Sequence, residues 1–160
     1  MGKNTVINGM KKLFIDLIDM GKFYDAKKLF YEIPVEKERL DFLVTLTCET
    51  NSVGIYTFIV RLLLEHETSE LHTYAAVILK LSLWEGAYTS ALSHARRAVE
   101  LSPGDLIHKE YLLSYSGMPD CIFEKKEAIE LAKQVLTTKP SSDAAREALE
   151  WATKKRTLGH

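Results

Sequence analysis

Cysteine is nearly absent from this sequence, and so are proline and long apolar runs. Only Cys48 and Cys121 occur in 160 residues, too few for a disulfide framework, so a reducing compartment is the default. The most apolar stretch, residues 55–64, is broken by Arg61 and falls far short of the roughly 20 residues that cross a bilayer. After Lys3 the apolar pattern is interrupted by Lys11, Lys12, Asp16 and Asp19, so no signal peptide is expected. The reading is a soluble, cytoplasmic protein. An excess of either charge is missing too: 21 basic side chains face 22 acidic ones, for a net charge of −1. No net pull toward nucleic acid or an anionic membrane follows. Arg96-Arg97 and Lys154-Lys155-Arg156 are short enough to read as solvated faces or helix ends.

Strand signals are also lacking, since no alternating apolar run is bounded by Asn-Gly or Asp-Gly. What is present is helical spacing. Met10, Leu13, Phe14, Leu17 and Ile18 recur at intervals of one, three and four, and Phe23, Ala26, Leu29, Phe30 and Ile33 do the same. The four prolines, Pro34, Pro103, Pro119 and Pro140, sit where such patterns end or begin. The spacing predicts an all-α domain with helices near 4–20, 22–33, 36–49, 53–66, 69–84, 87–101, 105–116, 121–138 and 142–155. Asp105 reads as an N-cap, and Ser141 or Ser142 as the cap of the last helix.

Residues suited to catalysis are scattered. None of His66, His72, His94, His108 and His160 pairs with another at the i, i+4 spacing that puts two ligands on one helix face. His94 reads as a surface or half-buried histidine. Cys48 and Cys121 lack a nucleophile signature, and Gly54 and Gly86 read as turn glycines outside any phosphate loop. Asp16 and Asp19 are the one candidate carboxylate pair; the other acids alternate with bases as in Glu36, Lys37, Glu38 and Arg39. A non-enzymatic role without cofactor or metal is expected.

A repeat decides between bundle and solenoid. Gly21-Lys22-Phe23, Gly54-Ile55-Tyr56 and Gly86-Ala87-Tyr88 share a glycine two residues before an aromatic, at intervals of 33 and 32 residues. Five residues after each glycine stand Ala26, Ile59 and Ala91. Ala128 follows Ala91 by 37 residues, and Pro140 follows Pro103 by the same interval. A glycine tolerates the left-handed turn between antiparallel helices, and a small residue early in the second helix lets the axes approach.

The stretch from Gly86 to Asp105 resembles the second helix and exit turn of a tetratricopeptide repeat, and residues 126–140 resemble a second copy. Residues 21–30 carry the family's alanine, three residues, phenylalanine pattern in Ala26 and Phe30. Departures are Phe14, Thr47, Leu79 and Leu113 where each first helix should hold a small residue, and Ile59 and Leu63 in the second unit. The resemblance implies a right-handed α-α superhelix of about nine helices. These would form about four pairs, near 7–34, 36–66, 70–103 and 105–140, with a capping helix at 142–155.

The resemblance further implies that first helices line a concave face. That register offers Asn8, Lys11, Ile15, Asp41, Val44, Thr73, Lys80, Glu110 and Ser114, with Cys48, Ala76 and Ile107 beside them. Ile15 and Val44 stand where members that clamp an acidic chaperone tail carry polar residues, so that role is disfavoured. Trp84, at the end of a first helix, is a candidate aromatic anchor, and Tyr111 and Tyr115 follow in the next unit. The expected function is binding of one specific protein or peptide partner, as an inhibitor, an immunity-type protein or a dedicated chaperone. The alternative is a sensor holding a small molecule or peptide in the groove. Nucleic acid and membrane are not expected partners.

Overall fold

A computed structural model describes residues 2–82, 84–118 and 123–154, with side chains from Gly9 onward. The described residues form nine helices and no strand: α1 (Gly2–Asp19), α2 (Phe23–Tyr31), α3 (Glu36–Thr50), α4 (Val53–Glu65), α5 (Ser69–Leu81), α6 (Ala87–Leu101), α7 (Leu106–Leu113), α8 (Lys125–Thr138) and α9 (Asp143–Thr153). Pro119, Cys121, Lys155, Arg156, His160 and the side chain of Asn8 lie outside the described residues.

Local chemistry explains the boundaries. Asp105 accepts from the Ile107 amide at 2.8 Å and Ser142 from the Ala145 amide at 3.3 Å, so both expected caps are made, the second by Ser142. Ser52 and Thr68 cap α4 and α5 in the same way. Gly21 and Gly86 take left-handed turns at φ 69° and 74°. Gly54 does not: it lies in the first turn of α4, and Asn51 supplies the left-handed residue at φ 47°. Three expected ends are also corrected. Helix α5 stops at Leu81 because Ser82 is extended, α7 stops at Leu113 before a run of turns, and α8 starts at Lys125 after extended Glu124.

Two hydrophobic clusters share α5. The first is aromatic: Phe14 meets Phe58 edge-on at 5.1 Å and Phe42 at 5.2 Å, and Phe30 meets Phe58 at 5.5 Å and Tyr74 at 6.2 Å. Phe14, large where the repeat pattern wants a small residue, is the hub of that nest and fully buried. The second cluster is built on alanine. Ala87, Ala91, Ala95 and Ala98 form one buried stripe of α6, and the first three share a cluster with Ala128 and Ala132 of α8, Ala145, Ala148 and Ala152 of α9, and Leu92, Leu112 and Val135. Helix α5 gives Leu71, Tyr74, Ala75 and Ile78 to the first cluster and Ala76 and Leu79 to the second. The main helix pairings join neighbours no more than three positions apart in the chain, among them α1 with α2 and α4, α5 with α3, α4 and α6, and α8 with α9.

Candidate functional site

Side-chain bridges join the odd-numbered helices in chain order. Lys11 of α1 reaches Glu49 of α3 at 2.9 Å, and Arg39 of α3 reaches Glu70 of α5 at 3.1 Å. From α5, Thr73 meets His108 Nδ1 at 3.0 Å and Lys80 donates to Ser114 Oγ at 2.9 Å. Glu110 of α7 accepts from Lys139 Nζ at 3.0 Å and from the hydroxyl of Ser142 at the head of α9. These two donors hold the Glu110 carboxyl below its ordinary range.

The expected binding residues fall into two groups. Lys11, Ile15 and Asp41 gather between α1 and α3. There a hollow of about 450 Å³ is lined by Met10, Lys11, Ile33, Glu38, Asp41, Phe42 and Thr45. A second hollow of about 310 Å³ takes in Lys11, Ile15, Asp16, Leu46 and Glu49, so Lys11 lines both. Glu38 and Asp41 form no ion pair among the described residues and are exposed. Half-buried Val44 lines neither hollow.

Thr73, Lys80, Glu110 and Ser114 stand apart from that furrow, cross-linking α5, α7 and the head of α9. The Lys80 ammonium also rests 4.6 Å from the Tyr115 ring centroid. Ala76 is buried beneath Tyr115, whose hydroxyl donates to the Ala76 carbonyl at 3.4 Å. Trp84 needs correction: it follows the end of α5 and packs, partly buried, on the alanine-built cluster. An indole beside so many small residues fills space that alanine leaves open.

One constellation is not foreseen by the sequence. His72 of α5 and His94 of α6 approach Nδ1 to Nδ1 at 2.7 Å. His72 Nε2 lies 2.9 Å from Glu67 Oε1, and His94 Nε2 lies 3.0 Å from the Tyr56 hydroxyl of α4. Arg97 closes the far end with a bidentate grip on Glu67 at 2.8 and 2.9 Å. Arg97 and His72 hold the Glu67 carboxyl down at about 2. Burial, and next the charge of His72, bring His94 down to about 4. The rings are 22 residues apart, His94 eight residues past Gly86 and His72 fourteen before it. No helical periodicity relates them; only the register of the α5–α6 hairpin could bring them to notice.

Among the described residues, no group of three or more His, Cys, Asp or Glu is arranged to hold a metal ion, and no helix is long and apolar enough to cross a membrane. Comparison with protein-family models, with curated proteins and with solved structures finds no match.

Proposed function

We propose that this chain is a binding module, without catalytic function, which takes one protein or peptide partner on the face formed by its odd-numbered helices. The underlying architecture in this reading is a degenerate tetratricopeptide-like stack of helix pairs in a right-handed superhelix. Its support is the spacing of the long-range bridges. Lys11–Glu49, Lys27–Glu65 and Tyr56–His94 each span 38 residues, Lys80–Ser114 spans 34, Ser69–Ser102 spans 33 and Arg96–Glu127 spans 31. These separations bracket the 33-residue interval between Gly21 and Gly54. Stacked units contact chiefly their neighbours, so one-unit separations should dominate.

The observation that carries the functional reading is the α1–α3 furrow. Its apolar floor of Met10, Ile33 and Phe42 is flanked by the uncommitted acids Glu38 and Asp41. An apolar side chain with a neighbouring Lys or Arg is the complement of such a surface, and an amphipathic helix supplies both at i and i+3 or i+4. An inhibitor, an immunity-type protein or a dedicated chaperone would use the furrow in this way.

The test is affinity capture with the wild type beside the double variant Glu38→Arg, Asp41→Arg. Both substitutions are on the surface, so the melting temperature should hold while recovery of the partner falls about tenfold or more. Equal recovery by both proteins would move the binding surface elsewhere, and no partner for either would remove the reading. A captured enzyme whose activity is suppressed would favour the inhibitor role over the chaperone one.

A further inference from the structure

With both rings neutral, the distances in the Tyr56–His94–His72–Glu67 relay allow one set of hydrogen positions. An ionised Glu67 can only accept, so His72 Nε2 must carry a proton. The Nδ1 of a neutral His72 is then an acceptor. Across 2.7 Å there is room for a single hydrogen, and it belongs to His94 Nδ1. His94 Nε2 is thereby left to accept from the Tyr56 hydroxyl. Every contact is satisfied in one direction, with both rings neutral and of opposite tautomer.

A first added proton is absorbed without breaking any contact. It enters at His94 Nε2, the hydrogen between the rings passes from His94 Nδ1 to His72 Nδ1, and His94 Nε2 now donates to the Tyr56 oxygen. The positive charge comes to rest on His72, against Glu67 and its Arg97 clamp. A second proton has no such outlet. It would set two N–H groups head to head and two cations side by side.

The relay sits where such a conflict would be felt by the whole fold. Tyr56 packs on both hydrophobic clusters, and α5, which bears His72, contributes to both. An open hollow of about 350 Å³, lined by Tyr56, His72, His94 and the exposed Ser90 and Ser93, gives the pair access to solvent protons. The facing titratable or charged groups are Tyr56 from α4, Glu67 from the α4–α5 turn, and Arg97 with its partner Glu100 from α6. Helices α3 and α7 engage their own groups elsewhere, Arg39 with Glu70 and His108 with Thr73.

We propose that the His72–His94 pair is an acid-operated clasp at the junction of the two cores. It binds α4, α5 and α6 together while it holds at most one extra proton, and it parts them when both rings are charged. The clasp stands independently of any partner on the odd-helix face.

Ring-nitrogen NMR of the wild-type protein between pH 8 and pH 4 tests it directly. The expected result is opposite neutral tautomers at pH 8, Nδ1–H on His94 and Nε2–H on His72. One proton should be taken up first, and a second only in step with faster amide exchange in α4 and α6. Matching tautomers at pH 8, or two cationic rings with unchanged exchange, would overturn the proposal. As a second arm, His94→Gln keeps polar atoms at the site but cannot become a cation. Its melting temperature should fall by about 4 °C less than that of the wild type between pH 7.5 and 4.5. An equal fall in both proteins speaks against the clasp; should the variant not fold, the ring titration alone decides.

Discussion

Gly54 and Gly86 need to be glycine for opposite reasons, and the difference can be measured. A Cβ on Gly54 would stand 2.7 Å from Ile18 Cγ2 and 3.1 Å from the capping hydroxyl of Ser52. Ile18 is buried and β-branched, so it has little freedom to withdraw. Alanine in a helix gains up to about 1 kcal/mol over glycine, whereas overpacking a core costs about 1–3 kcal/mol. The clash wins, and Gly54→Ala should destabilise by about 1–2 kcal/mol. Gly86 has no atom within 4 Å of its would-be Cβ but sits at φ 74°. Gly86→Ala should therefore lose about 1–2 kcal/mol through backbone strain alone. Urea unfolding in an Ile18→Ala background separates the two. The cost at Gly54 should largely vanish there and the cost at Gly86 persist, a coupling typical of residues in contact.

Helix α6 is the element where sequence and packing agree most closely. Ala91 and Ala128 of α8 are both without exposed surface, in the cluster that α5–α9 build with many small side chains. Phe at either position should cost about 1–3 kcal/mol, read as a lower denaturation midpoint; a melt indifferent to both would mean that these alanines are not the close contacts. The helices are legible because their punctuation is local: Asp105 caps α7, Ser142 caps α9, and Gly21 and Gly86 turn the chain. Sequence and structure part where one local signal competes with another. Gly54 has the spacing of a turn glycine, but the neighbouring Asn51 tolerates the left-handed conformation and frees Gly54 for the approach of α1. Trp84 fits helical periodicity, yet Ser82 ends α5 first. Lys11 and Asp41 line a common furrow, whereas Lys80 and Glu110 are drawn into bridges with partners 34 and 29 residues away. The His72–His94 pair is beyond reach of the sequence, because a contact across a hairpin depends on a register that single-helix periodicity does not encode.

For the whole molecule the most exposed consequence is its response to acid, which should come in two windows. His94 is held in the fold at about 4, below its ordinary 6.5, so the folded state disfavours the proton that the unfolded chain accepts. Stability from that source is complete above pH 6.5 and is lost as pH falls toward 4. Glu67 is held at about 2, below its ordinary 4.5, and Glu65, Glu110 and Glu150 are also lowered by their lysine or hydroxyl partners. Their contribution is present above pH 4.5 and is lost as pH falls toward 2. Both windows slope the same way, so the unfolding free energy should be flat from pH 8 to about 6.5 and then decline in two stages. Arg97→Gln separates them. It removes the main cause of the Glu67 shift while leaving His94 with Tyr56 and His72. The variant should be less stable than the wild type at pH 7, and the gap should close as pH approaches 2, where the wild type has itself protonated Glu67. Because the Arg97–Glu67 pair is open to solvent, 1 M salt should narrow the gap at pH 7 as well, while the His94 window, set mainly by burial, keeps its depth. A gap that stays constant from pH 7 to pH 2 would mean that Arg97 acts through packing and not through its charge.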